Sequence, residues 1–105
     1  MSEQAIKKIL ITGANGFIGG SLMRYYQNQG QDVVGVDLVG NADDIVEGDI
    51  SQPDTISQQL QECDVIIHTA ALVSNAMQDS DMWRVNVLAT RNLIQAAKEH
   101  KVRRF

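Results

Sequence analysis

The chain has 105 residues, 44% of them hydrophobic and 21% charged, with a formal net charge of −4 at pH 7. That length allows at most one domain with a modest core, and the acidic balance argues against nucleic acid or an anionic membrane surface as a partner. A single cysteine excludes an internal disulfide framework and fits a reducing compartment, no apolar run approaches membrane-spanning length, and residues 1–6 are too polar for a signal peptide, so the expected location is cytoplasmic.

Residues 1–7 read as a leader into the first strand. Residues 8–12 are mostly aliphatic or β-branched with little alternation, the pattern of a parallel strand covered on both faces. Gly13, Gly16 and Gly19 follow as G-x-x-G-x-x-G. The first permits the tight turn off the strand, the second leaves room for a pyrophosphate, and the third lets a helix lie close. Helical spacing predicts a helix over residues 16–29, with Ile18, Leu22, Tyr25 and Tyr26 on one face and Gly30 just past its end. Residues 33–36 form a second apolar strand, closed by Asp37 eighteen positions after Gly19.

Glycine turns alone are common. A strand before this one, a helix after it and an acid at the end of the next strand make residues 8–37 a dinucleotide-binding βαβ unit. Its helix start, with free N–H groups and the positive end of the dipole, is expected to face the phosphates, with Asn15, Phe17 and Ile18 completing the turn. The Asp37 carboxylate is expected to accept hydrogen bonds from the adenosine ribose. A 2′-phosphate placed ~4 Å from it would meet a repulsion on the order of 4 kcal/mol per charge pair at an effective dielectric of ~20. Residues 38–48 contain no Lys or Arg to offset that, so the expected cofactor is NAD rather than NADP. The deficit extends further: no Lys or Arg occurs between Arg24 and Arg84, while eleven Asp and Glu do. A phosphate bound here must be held by backbone amides and a helix end.

Residues 44–47 suit a short third strand leading into Gly48, Asp49 and Ile50. Ser51 or Gln52 then caps a helix with Pro53 in its first turn. Ile56, Leu60 and Cys63 fall on one face of that helix, which makes Cys63 a small core residue rather than a reactive thiol. Residues 65–68 form a fourth strand, followed by small residues including Ala70 and Ala71 that leave space at its carboxyl end. His68 has two readings, a general base or a structural strand-end histidine. Residues 72–79 form a polar loop able to close over a ligand. A long helix over residues 80–100 buries Met82, Val85, Ala89, Leu93, Ala96 and Ala97, with Asn86 beside the stripe near the cofactor side. Residues 102–105 begin a fifth strand.

With these residues in place, the sequence resembles the extended short-chain dehydrogenase/reductase family, its NAD-dependent epimerase/dehydratase group. Residues 12–19 (TGANGFIG) match the T-G-x-x-G-x-x-G turn, Asp37 the ribose-binding acid, and Gly48-Asp49-Ile50 the segment flanking the adenine. His68-Thr69-Ala70-Ala71 matches an H-x-A-A along the nicotinamide-side ribose. Asn86-Val87 matches an N-V-x-G-T helix whose Asn supports the active-site lysine, with Ala89 in place of the usual Gly. HTAALVS followed by WRVNV is similar to the 3β-hydroxysteroid dehydrogenase branch. The resemblance implies hydride exchange with a sugar nucleotide, steroid or similar secondary alcohol, and a homodimer, since the family often dimerises through helices. The family's Tyr-x-x-x-Lys pair is absent: Gln29 and Gly30 stand four positions after Tyr25 and Tyr26. The 105 residues are therefore expected to bind cofactor weakly and to catalyse nothing by themselves.

The fold expected is α/β, a partial Rossmann sheet of parallel strands in the order 3-2-1-4 with helices on both faces, ending before the fifth strand is complete. Strand four should be an exposed edge without a partner, and the last helix should bury only part of its apolar stripe. Two readings of function follow. One is the NAD-binding part of a larger oxidoreductase or epimerase; the other is a non-catalytic module that senses NAD or engages a protein partner.

Overall fold

The computed structural model describes residues 6–40, 42–70 and 79–105. Four parallel strands, β1 (Ile9–Thr12), β2 (Val33–Asp37), β3 (Ile45–Glu47) and β4 (Val65–His68), form one sheet in the order β3-β2-β1-β4. This is the expected topology. Helix α1 (Phe17–Asn28) covers one face; α2 (Ser57–Glu62) and α3 (Asp79–Glu99) cover the other.

The side-chain alternation of β1 divides the core in two. Ile9 and Ile11 pack with Ala14 and Met23 on the α1 side. Leu10 packs on the opposite side with Val36, Leu60, Ile66 and Leu93. All of β1 is buried, flanked by β2 and β4 and covered on both faces. Cys63 is a buried core residue, as its spacing predicts. Burial, with the Asp64 charge adding to it, raises its thiol from 9.0 to about 11.

Helix α1 is rotated relative to the sequence expectation. Leu22 and Tyr26 do face the sheet, but so does Met23, while Ile18 and Tyr25 are 63% and 57% exposed. The cause is Gly19, where an added Cβ would collide with the Gly13 carbonyl. That close approach fixes which side of α1 points inward, and positions three, four and seven residues later follow it. The helix ends in a Schellman motif at Gly30 (φ 77°), with Gln31 N–H bonded to the Tyr26 carbonyl at 3.0 Å and Gly30 N–H to that of Gln27 at 3.0 Å.

Two further expectations are modified. The helix after Ile50 opens as a 3₁₀ turn over Pro53–Ile56, with Gln52 at the cap position but giving no side-chain bond, before the six-residue α2 begins. The outer side of β4 is not bare: Arg104 forms a parallel bridge with Val65, and Ile66 N–H donates to the Arg104 carbonyl at 3.0 Å. The C-terminal segment therefore pairs with β4 through an isolated bridge, not as a strand. Helix α3 buries Ala89, Leu93, Ala96 and Ala97, half-buries Met82 and Val85, and leaves Trp83, Val87, Leu88 and Ile94 exposed. The loop predicted over residues 72–79 lies outside the described residues apart from Asp79, which opens α3.

Candidate functional site

In an open parallel sheet, ligands bind beyond the carboxyl ends of the strands, where successive crossovers part to opposite faces. That point lies between β1 and β4 here, since the chain leaves β1 through α1 to β2 on one side and returns from β3 through α2 to β4 on the other. A cleft of about 390 Å³ lies at this place. Gly13 and Gly16 form its floor. Gly13 adopts φ 69°, and a Cβ on it would come within 2.9 Å of the Ala70 backbone, so only glycine fits between the turn and the end of β4. A Cβ on Gly16 would meet only the Gly13 carbonyl, at 3.2 Å, and otherwise open space. Gly16 is also the N-cap of α1, with no side-chain cap and no acid in the first turn. The amides of the helix start are therefore left for a ligand.

One end of the cleft is lined by Asp37, Leu38, Asp49 and Ile50, the other by Thr69, Ala70 and Asn86. Asp37 Oδ2 accepts the Asn15 amide N–H at 2.9 Å and Oδ1 accepts that of Leu38 at 2.8 Å. Asp49 Oδ1 accepts both the N–H and the hydroxyl of Ser51, at 2.9 and 2.7 Å, so it shapes its own loop as well as facing the cleft. No Lys or Arg lines the cleft. An anion entering it meets backbone N–H groups and two carboxylates.

Of the residues singled out from sequence, Gly13, Gly16, Asp37, Asp49, Ile50, Ala70 and Asn86 line this one cleft. Asn15, Phe17, Ile18 and Gly19 do not line it with their side chains. Asn15 is latched across the rim, its Nδ2 donating to the Val39 carbonyl at 2.8 Å. Phe17 and Ile18 point into solvent, which leaves only their amides directed along the helix axis, and Gly19 is buried beneath the turn. Ala71 lies outside the described residues. Sequence reasoning gives Thr69 only as the variable position of H-x-A-A and does not assign Leu38, Val36, Ser51, Val85 or Ala89 to the cleft lining. Leu38 carried a signal, an apolar residue directly after the acid that stays 66% exposed.

A hydrogen-bonded chain runs behind the cleft wall. His68 Nδ1 lies 2.7 Å from Thr12 Oγ1, and His68 Nε2 lies 2.9 Å from Thr90 Oγ1. Burial lowers the pKa of His68 below its ordinary 6.5. With both ring nitrogens turned to threonine hydroxyls, the ring has the structural role of its two readings.

The model of the NAD dependent epimerase/dehydratase family matches residues 9–105. The chain belongs to that family. Among solved structures it is similar to a short-chain dehydrogenase/reductase superfamily protein from Agrobacterium tumefaciens with bound NAD, at 33% identity and a TM-score of 0.78, over 90% of this chain and 30% of that one. It is similar to the NAD-bound UDP-glucose-4-epimerase of Stenotrophomonas maltophila at 26% identity and a TM-score of 0.77, over 91% of this chain and 34% of that one. Among curated proteins, the 3-beta-hydroxysteroid dehydrogenase of Mycolicibacterium neoaurum is 29% identical over 111 residues, covering 93% of this chain and 30% of that protein. The chain thus spans about a third of the length of these relatives.

The glycine turn and Asp37 are adjacent in the cleft. The catalytic Tyr-x-x-x-Lys is not among residues 1–105. Tyr25 and Tyr26 form an edge-to-face pair on α1, with ring centroids 5.2 Å apart, and neither lines the cleft. Among the described residues no cluster of His, Cys, Asp and Glu could hold a metal ion, and no helix is long and apolar enough to cross a membrane.

Proposed function

We propose that residues 1–105 form the NAD-binding part of a larger Rossmann domain, in an enzyme that acts on a sugar nucleotide, a steroid or a similar secondary alcohol. The observation that carries this reading is the single cleft where a side-chain-free turn, an uncapped helix start and the Asp37 carboxylate meet. The amides of residues 13–16 are already bonded, so the glycine floor admits a diphosphate against the uncapped helix-start amides of Phe17 and Ile18. Asp37 keeps unused acceptor positions on both oxygens for ribose hydroxyls. Ile50 and Leu38 supply apolar surface for the adenine, and Ala70 leaves room along the second ribose. Phe17, Ile18 and Gly19 complete the set through backbone or turn geometry, and Ala71 joins it on the H-x-A-A sequence match alone.

When bound, NAD supplies a hydride acceptor or donor at its nicotinamide ring. On this reading the residues here bind and orient it, and Asn86, which lines the cleft, is assigned to support a catalytic lysine contributed by another part of the protein. The acid/base pair is assigned to sequence beyond these residues. A reducing, cytoplasmic setting is supported by one buried free cysteine.

Calorimetric titration of the full-length natural protein with NAD, paired with amide NMR of the same species, tests the reading. The expected result is saturable binding with shifts concentrated at Gly13, Asn15–Ile18 and Asp37. Saturating NAD that moves none of these amides would overturn it.

A further inference from the structure

We propose that His68 is a positioning residue for NAD binding: its neutral ring, protonated at Nε2, holds the Thr69–Ala70 wall of the cleft in place through Thr12. This rests on the reading of the cleft as the NAD site.

Strand alternation brings the parts together. Thr12 and His68 are register partners on β1 and β4, and both follow Leu10 and Ile66 onto the face covered by α3. Thr12 is fully buried. Its Oγ1 accepts the N–H of Thr69 at 3.1 Å and the N–H of Ala70 at 3.2 Å. A hydroxyl has two acceptor positions and one proton. With both positions taken, the Thr12 proton is left to donate, and the group in front of it is His68 Nδ1 at 2.7 Å. Nδ1 must therefore be bare, which puts the ring proton on Nε2, where it donates to Thr90 Oγ1 at 2.9 Å. The count of donors and acceptors fixes the tautomer.

The same count says what protonation does. An imidazolium presents N–H at Nδ1, facing a hydroxyl whose acceptor positions are already filled. Thr12 must then release Thr69 or Ala70 in order to accept it. A Cβ position on Gly13 stands 2.9 Å from the Ala70 backbone and 2.9 Å from Thr69 Oγ1, so the wall nearest the glycine floor loosens. The elements packed against the ring present Thr12 from β1, Thr90 from α3 and the Phe105 ring from the C-terminal segment (centroids 6.0 Å apart), none of which titrates near neutral pH. The flanking charges, Arg91 and Arg104, are exposed. Burial, the sole cause of the lowered pKa, acts in the same direction as the hydrogen-bond count.

The test uses the full-length natural protein and His68→Asn, whose Oδ1 sits at the same bond distance from the backbone as Nδ1 and accepts without titrating. Imidazole nitrogen NMR at pH 7.5 should show His68 bare at Nδ1 and protonated at Nε2; the opposite tautomer overturns the proposal whether or not NAD binds. The NAD Kd of the natural protein should be flat from pH 8 to 6.5, then rise, approaching about tenfold per pH unit below the folded-state pKa. His68→Asn should retain NAD binding at pH 7.5 and lack that component. His68→Leu, which leaves the Thr12 hydroxyl without an acceptor, should weaken NAD roughly tenfold at pH 7.5. Parallel pH profiles for the natural protein and His68→Asn, with far-UV circular dichroism reporting both folded, overturn the proposal. Absence of NAD binding at every pH overturns the reading of the cleft instead, while the nitrogen spectrum still decides the tautomer.

Discussion

Asp37 accepts the amide N–H of Asn15 at 2.9 Å, so the carboxylate at the end of β2 anchors the turn that follows β1. The residue that our proposal assigns to the ribose therefore also holds the glycine turn. Asp37→Ala removes both at once, and NAD affinity should fall by about 10- to 100-fold, the range for losing hydrogen bonds to a charged acceptor. NADP loses a repulsive neighbour in the same change, so the ratio of the two dissociation constants should collapse toward one. Calorimetry with both cofactors measures it. An unchanged preference for NAD would remove Asp37 from the specificity argument.

Gly16 and Gly19 belong to one motif but do different jobs. A methyl at Gly19 runs into the Gly13 carbonyl and crowds Thr69 Oγ1, so Gly19→Ala must displace α1 from the sheet. Overpacking of that kind costs ~1–3 kcal/mol. A methyl at Gly16 meets only the Gly13 carbonyl, at 3.2 Å, and projects over the cleft floor. Gly16→Ala should therefore unfold near the natural midpoint in urea yet bind NAD at least tenfold more weakly, while Gly19→Ala should lose stability first. Equal urea midpoints for the two variants would contradict this division.

The βαβ unit was legible in sequence because its signals are local: an aliphatic strand, glycines at fixed spacing, an acid at a strand end. Strand order followed from the same reasoning, since short right-handed crossovers leave few alternatives. The phase of α1 was not legible. Apolar residues at 17, 18, 22, 23, 25 and 26 surround much of the helix, and the choice among them is made by how Gly19 seats under the turn. Gly35 acts in the same way on β2, where a Cβ would press on Ala14 and crowd Met23 at 3.1 Å. The Thr12–His68–Thr90 chain was hidden for another reason. Its members are 56 and 22 residues apart; the β1–β4 register aligns Thr12 with His68, and the packing of α3 on the sheet brings Thr90 to them. The Arg104 bridge to β4 likewise depends on where α3 ends.

That ending carries a correctable strain. Lys101 adopts φ 60° at the end of α3, with its N–H bonded to the Lys98 carbonyl at 3.2 Å and the Val102 N–H to that of Ala97 at 2.9 Å. This is the same terminal motif as at Gly30, but with a side chain in the left-handed region. An L-residue pays about 1 kcal/mol or more there, and glycine escapes it at some entropic cost in the unfolded chain. Lys101→Gly should raise unfolding stability by ~0.5–1 kcal/mol, read as a higher urea midpoint at unchanged slope. A lower midpoint would mean that the Lys101 side chain contributes more than its backbone loses.

Cys63 gives the protein an alkaline limit. Its thiol packs among Leu10, Leu60 and Ile66, with Sγ 3.6 Å from the Leu60 carbonyl oxygen, and burial pushes its pKa from 9.0 to about 11. Above pH 9.0 the unfolded thiol ionises while the folded one stays protonated, so the unfolded state sheds protons first and stability falls as pH rises. The fall should end near pH 11, where the folded thiol ionises as well. Cys63→Ala removes this contribution and leaves a cavity, so it should be less stable at pH 7 but lose less on going from pH 8 to pH 11. A thiol-specific disulfide reagent should label the native protein at pH 8 only at the rate of local opening, far below its rate on protein in urea. Rapid labelling of the folded protein would place Cys63 at the surface and undo the alkaline argument with it.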